Sequence, residues 1–160
     1  MKNLLSAVAF TLILSASTIP TTTYAKGIGI EAKVIHIDSS NAIPQNASAR
    51  SATFKIDIHV EGKSLSSLAI AIPEEVYVGS VEVVDGSGKT IETTATIKDK
   101  KIAIAFANPV APEVNLQVRL NNVSNRWHRS NTWMFPMSAQ VSGITGDIPL
   151  GLALIHTYSH

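Results

Sequence analysis

Thr53-Phe54-Lys55-Ile56-Asp57-Ile58-His59-Val60-Glu61 is the stretch that decides the fold. Phe54, Ile56, Ile58 and Val60 share one parity, and Lys55, Asp57, His59 and Glu61 share the other. A period of two puts the apolar set on one face of a β-strand and the polar set, His59 included, in solvent. A strand with one apolar face needs paired neighbours and a second layer to cover it.

The flanking sequence supplies both. Upstream, Ile28, Ile30, Ala32, Val34 and His36 alternate, which predicts a first strand over Val34–Ile37, followed by a polar loop from Asp38 to Ser48. Downstream, Gly62-Lys63-Ser64 turns the chain into an apolar strand, Leu65–Ile72, which Pro73 interrupts. The β-branched run Val76–Val84 ends at the turn residues Asp85-Gly86-Ser87-Gly88. Thr90–Ile97 and Lys101–Phe106 read as strands around the polar turn Lys98-Asp99-Lys100. Two prolines in Asn108-Pro109-Val110-Ala111-Pro112 predict a break in the sheet, because proline lacks the donor a central strand needs.

Val114, Leu116, Val118 and Leu120 then share a face, and a loop is expected from Asn121 to Ser130. Trp133, Phe135, Met137, Ala139 and Val141 alternate after it, which assigns both aromatics to the core. Leu150–Tyr158 reads as the last strand, with Leu152, Leu154, His156 and Tyr158 on one parity; alternation gives their relative facing only. No segment has a helical period. The pattern predicts an all-β chain folded as a single antiparallel β-sandwich of about eight strands.

Residues 1–25 read as a signal peptide: Lys2, an apolar run from Leu4 to Leu14, a polar tail with Pro20, and small residues ending at Ala25. Cleavage is expected after Ala25, with Ser15-Ala16-Ser17 as the alternative. The apolar run is shorter than the roughly 20 residues that cross a bilayer, so no transmembrane anchor is expected after cleavage. The sandwich domain is assigned to residues 26–160 and the localisation to the periplasm or the exterior. Loss of Lys2 from the 13 Lys and Arg leaves 12 against 12 Asp and Glu, a neutral chain with no general attraction to nucleic acid. With no cysteine, disulfides, thiol catalysis and thiolate metal sites are excluded.

Phe106-Ala107-Asn108-Pro109-Val110-Ala111-Pro112, Val118-Arg119-Leu120, Asn125-Arg126, Trp133-Met134-Phe135 and Gly151-Leu152-Ala153-Leu154-Ile155-His156-Thr157-Tyr158 together resemble an exported, chiefly cyanobacterial family. It is catalogued as domain of unknown function 2808. Gly62-Lys63-Ser64-Leu65 leading to Ile70-Ala71-Ile72-Pro73 fits the same pattern, while Glu113 and Asn131 stand where glycine is expected. The resemblance implies an exported β-domain and no particular activity.

The motifs that suggest chemistry do not complete themselves. Gly88-Lys89-Thr90 has Val83 where a phosphate loop needs glycine, and no helix follows. Asp85-Gly86-Ser87-Gly88 lacks the carboxylates of a calcium loop. The Gly-x-Ser-x-Gly nucleophile turn is absent, and Glu74-Glu75 is an adjacent pair whose side chains diverge. Asn46-Ala47-Ser48 and Asn122-Val123-Ser124 match a glycosylation acceptor, which is incidental in a bacterial chain.

No catalytic residue, metal site or cofactor is assigned. The strongest surface candidate is Arg126, Trp127 and Arg129: arginine forks onto anionic groups, and an indole stacks on a sugar face or on the arginine. The competing reading makes Trp127 a plug in the open end of the sandwich. The expected function is an exported, non-enzymatic interaction or structural module of the bacterial envelope, with a protein or an anionic glycan as partner. The alternative is a histidine-based metal-binding protein or metal-dependent enzyme. His156 and His160 would supply two ligands if His36 or His128 came near, and the general requirement is three histidines, or two plus a carboxylate, within ligand distance.

Overall fold

Strand β2 (Ala52–Val60) buries alternate residues along its whole length: Phe54, Ile56, Ile58 and Val60 are buried, and Lys55, Asp57 and His59 are partly exposed between them. The structure is a computed structural model that describes residues 33–126 and 129–159. The expected leader, Trp127, His128 and His160 lie outside the described residues.

Two antiparallel five-stranded sheets face each other. In the first, β1 (His36–Ile43) pairs with β2, and β2 with β8 (Val114–Asn125); the far side of β8 carries both β4 (Val76–Tyr77) and β5 (Ser80–Asp85). The second runs β10 (Ile148–Thr157), β9 (Asn131–Val141), β3 (Leu65–Ala71), β7 (Lys101–Val110), β6 (Thr93–Lys98). Inward residues of both sheets meet in one core. Phe54 from the first and Phe135 from the second pack edge to face, with centroids 6.0 Å apart and planes at 89°, an arrangement favoured by the ring quadrupole. Trp133 is buried as expected, and its Nε1–H donates to Thr157 Oγ1 at 3.0 Å, so neither buried polar atom lacks a partner.

The all-β antiparallel sandwich therefore agrees with the sequence pattern, but several boundaries differ. The described residues form ten strands instead of about eight. The expected loop from Asp38 is strand as far as Ile43, because β1 is an outer strand whose polar residues find partners: Ser39 Oγ donates to Asp57 Oδ2 at 2.6 Å and Ser40 Oγ to the Leu154 carbonyl at 2.8 Å. Val76–Val84 divides into β4 and β5 around Gly79, whose N–H donates to the Asn121 carbonyl.

Pro109 lies inside β7 instead of ending it. Pairing with β3 jumps from Ala105 to Val110 while β3 moves only from Ser67 to Leu65, so Pro109 falls in a bulge where its missing donor costs no ladder bond. The loop expected at Asn121 is also late. β8 continues to Asn125 through a bulge at Asn122 (φ 53°), which returns Val123 to the core face after Leu120.

The hairpin between β6 and β7 turns on Asp99 and Lys100, both at positive φ (50° and 57°). That is the pattern of a two-residue turn matched to strand twist. Lys100 also ties the turn to the segment that enters β4: its amine donates to the carbonyls of Glu74 and Val76 at 2.8 and 2.9 Å.

Candidate functional site

Arg126 begins the turn after β8, exposed, with its backbone N–H on the Glu75 carbonyl at 3.1 Å. Arg129 is exposed on the far side of the same turn. Trp127 lies outside the described residues, so neither its stacking role nor its role as a plug has a structural account.

What sequence reading missed is the company these arginines keep. Val76 and Tyr77 pair with Asn125 and Ser124, and Tyr77 is 66 % exposed. Asn125 Nδ2 donates to the Ala47 carbonyl at 2.9 Å, and the Ala47 N–H donates to the Tyr158 carbonyl at 2.8 Å. Tyr158 is 50 % exposed, and the N–H of Ser159 donates to Ser130 Oγ at 2.8 Å. These bonds gather the ends of β4, β8 and β10 with the start of β9 at one end of the sandwich. Exposed tyrosines at the end that bears two arginines suit stacking and anion contact together. Adjacent spacing is the only signal a sequence carries for such a group, and Tyr77 and Tyr158 are far from the arginines along the chain.

Of the histidines in the alternative metal reading, His36 and His156 are among the described residues, and His128 and His160 are not. His156 projects from the outer face of β10, where its Nδ1 lies 2.8 Å from Thr132 Oγ1. The stretch from β1 onward runs beside β10, with Ser40 at Leu154 and Asn46 at Tyr158. His36 therefore lies level with Leu150, and the two line one apolar cavity of about 410 Å3. His36 and His156 are not brought together. Instead, His36 pairs with His59 across β1 and β2, with ring centroids 5.5 Å apart.

Two carboxylates join this pair. His59 Nε2 is 3.6 Å from Glu61 Oε1 and 4.0 Å from Glu113 Oε2, and His36 Nδ1 is 3.9 Å from Glu61 Oε2. His59 Nδ1 hydrogen-bonds Asn115 Oδ1, which can only accept. Nδ1 is thereby the donor to Asn115, and Nε2 faces the carboxylates. His36 is held on its other sides by the Val34 carbonyl (3.1 Å from Nδ1) and Asp38 Oδ1 (3.0 Å from Nε2). Glu113 adopts φ 64°, the conformation for which glycine is expected at this position, and its N–H donates to the Val60 carbonyl at 2.7 Å. Lys33 Nζ binds Glu113 Oε1 at 3.0 Å, and this hydrogen bond first, with the carboxylate's charge second, raises the amine's pKa. Gly62 permits the approach, since a Cβ there would stand 2.3 Å from the Lys33 carbonyl oxygen. His59, read from its parity as a solvated residue, is only partly exposed and has partners on both ring nitrogens.

Beside this cluster, the outer face of the first sheet carries a continuous polar chain. Asp57 Oδ1 accepts from Gln117 Nε2, whose Oε1 accepts from Arg119 Nε, both at 2.8 Å, and Arg119 Nη1 lies 3.8 Å from Glu82 Oε2. In the turn after β5, Asp85 Oδ1 accepts from the hydroxyl and N–H of Ser87 and from the N–H of Lys89. The Ser87 hydroxyl first, then the Lys89 amide, holds the Asp85 pKa below its ordinary 3.8.

A family model described as "Protein of unknown function (DUF2808)" matches residues 35–154. No curated protein matches the chain. The major pilin subunit of Bacillus cereus superposes with TM-score 0.50 at 9 % identity, over 78 % of this chain and 40 % of the pilin, and shows the shared sandwich fold. The N-terminal domain of a Streptococcus gordonii adhesin gives 0.49 at 13 % identity, over 78 % of this chain and 32 % of that one. An uncharacterized immunoglobulin-like protein from Nocardia farcinica gives 0.44 at 13 % identity, over 78 % and 99 %.

Proposed function

The chain belongs to the DUF2808 family of proteins of unknown function, and we propose that this member is an exported, non-enzymatic interaction module of the bacterial envelope. Its contact surface is the end of the sandwich that carries Arg126, Arg129, Tyr77 and Tyr158, together with Trp127, which follows Arg126 in sequence. The observation that carries this reading is the hydrogen-bonded link from β4 through Asn125 and Ala47 to Tyr158, which sets two exposed tyrosines at the end that bears the two arginines. Arginine and aromatic side chains are the residues that anchor interfaces. In a chain with no net charge once the leader is removed, a local pair of arginines selects an acidic partner without attracting nucleic acid at large. An anionic envelope glycan satisfies both the guanidinium groups and the ring faces.

Tryptophan fluorescence tests this, because Trp133 is buried and shielded and Trp127→Phe isolates the signal of the turn. Titration with a sulfated or uronic-acid polysaccharide should give a saturable change that Trp127→Phe abolishes. Arg126→Ala with Arg129→Ala should weaken binding at least about tenfold, and added salt should weaken it further. A response matched by a neutral polysaccharide, or unchanged in the double variant, defeats the reading. Binding to an envelope protein through the same residues would retain the surface and replace the glycan.

A further inference from the structure

We propose that His59, Glu61 and Glu113 form a binding site for a divalent transition metal, with zinc as the ion their donors suit. This is independent of the arginine-tyrosine end: it uses other residues, outside that group of linked strand ends. The candidate ligand atoms, one from each residue, all lie within 4.8 Å of one another. Zinc bonds of 2.0–2.2 Å to nitrogen and oxygen place tetrahedral ligands roughly 3.4 Å apart. The observed separations of 3.6 and 4.0 Å around His59 Nε2 therefore need only a small contraction.

Three features distinguish this group from a set of surface acids. The donor set is mixed, and an imidazole nitrogen with carboxylates suits zinc better than it suits calcium or magnesium, which take oxygen ligands. The ring is oriented by a second residue, Asn115, which holds the Nδ1 proton and leaves Nε2 as the donor, the outer-shell arrangement that metal-binding histidines use. The ligands also come from two separate places in the chain, the end of β2 and the turn before β8. His59 pairs directly with Asn115 across β2 and β8, so ladder register fixes ligand and orienting residue together. Three protein ligands leave a fourth position for water. His36 forms one wall, and Lys33 holds the Glu113 oxygen that faces away from His59.

Isothermal titration of the untagged protein with zinc chloride near neutral pH tests the site, with His59→Gln, Glu113→Gln and His156→Gln beside the wild type. One ion per chain is expected. Affinity should fall at least about tenfold in His59→Gln and Glu113→Gln, the scale on which even outer-shell changes act, and should hold in His156→Gln. Glu113 is well exposed, so its variant keeps the test valid if His59→Gln folds poorly, and melting curves in EDTA check each variant. Cobalt in place of zinc should produce visible absorption bands that the first two variants lose. Absence of saturable zinc binding, wild-type affinity in both His59→Gln and Glu113→Gln, or loss of affinity in His156→Gln overturns the proposal.

Discussion

The outer faces of the two sheets arise from the same alternation and are unlike in content. On the first sheet, Ser39, Asp57, Gln117, Arg119, Glu82 and Thr90 are joined in a chain of hydrogen bonds and one ion pair that crosses β1, β2, β8 and β5. On the second, many outward positions are small or apolar, and the polar ones, such as Thr132 with His156, bond in separate pairs. Ala71, Ala103 and Ala105 are exposed, and Met134, Leu152 and Leu154 stand 56 %, 51 % and 44 % exposed. The inner faces are alike, since packing two sheets about 10 Å apart demands apolar side chains from both. The difference teaches that the fold constrains what points inward and leaves the outward positions to function and solubility.

The largest effect should come from the shared core and should not distinguish the sheets. Phe54→Ala and Phe135→Ala each remove one ring of the edge-to-face pair and should cost about 3–5 kcal/mol in urea unfolding. A large loss from one and a negligible loss from the other would break the symmetry of the two inner faces.

A smaller effect should separate the outer faces. Gln117→Ala cuts the chain between Asp57 and Arg119 and should cost about 1 kcal/mol. Ala103→Ser, on the other sheet, should stay within about 0.5 kcal/mol of wild type. Equal effects would mean that the polar chain contributes nothing to stability.

The smallest expected effect concerns Asp85, which is partly exposed at the end of β5. Its folded pKa is depressed, so its contribution is fully present above the ordinary value of 3.8 and is lost as pH falls through the lower folded value. Urea midpoints of wild type and Asp85→Ala should therefore differ at pH 6 and converge in stronger acid. A gap that persists unchanged below pH 2 would show that the turn gains nothing from the ionised carboxylate.

Much of the architecture was legible because strand alternation is a local property. Ile56, Ile58, Leu116, Val118, Trp133, Phe135 and Met137 are all buried as their parity requires. The misread boundaries are the places where local propensity yields to pairing. Pro109 is accommodated by a bulge that only β3 defines, and the polar run after Asp38 becomes strand because Asp57 and the Leu154 carbonyl are within reach.

For the candidate sites, the chain by itself marked the arginine turn, since Arg126 and Arg129 are neighbours in sequence. It carried no sign that Tyr77 and Tyr158 share that end of the sandwich, or that His59 meets Glu113. Those meetings depend on which strands pair and in what register. Register is set by burying one face of every strand at once, a property of the whole sandwich that no single strand contains.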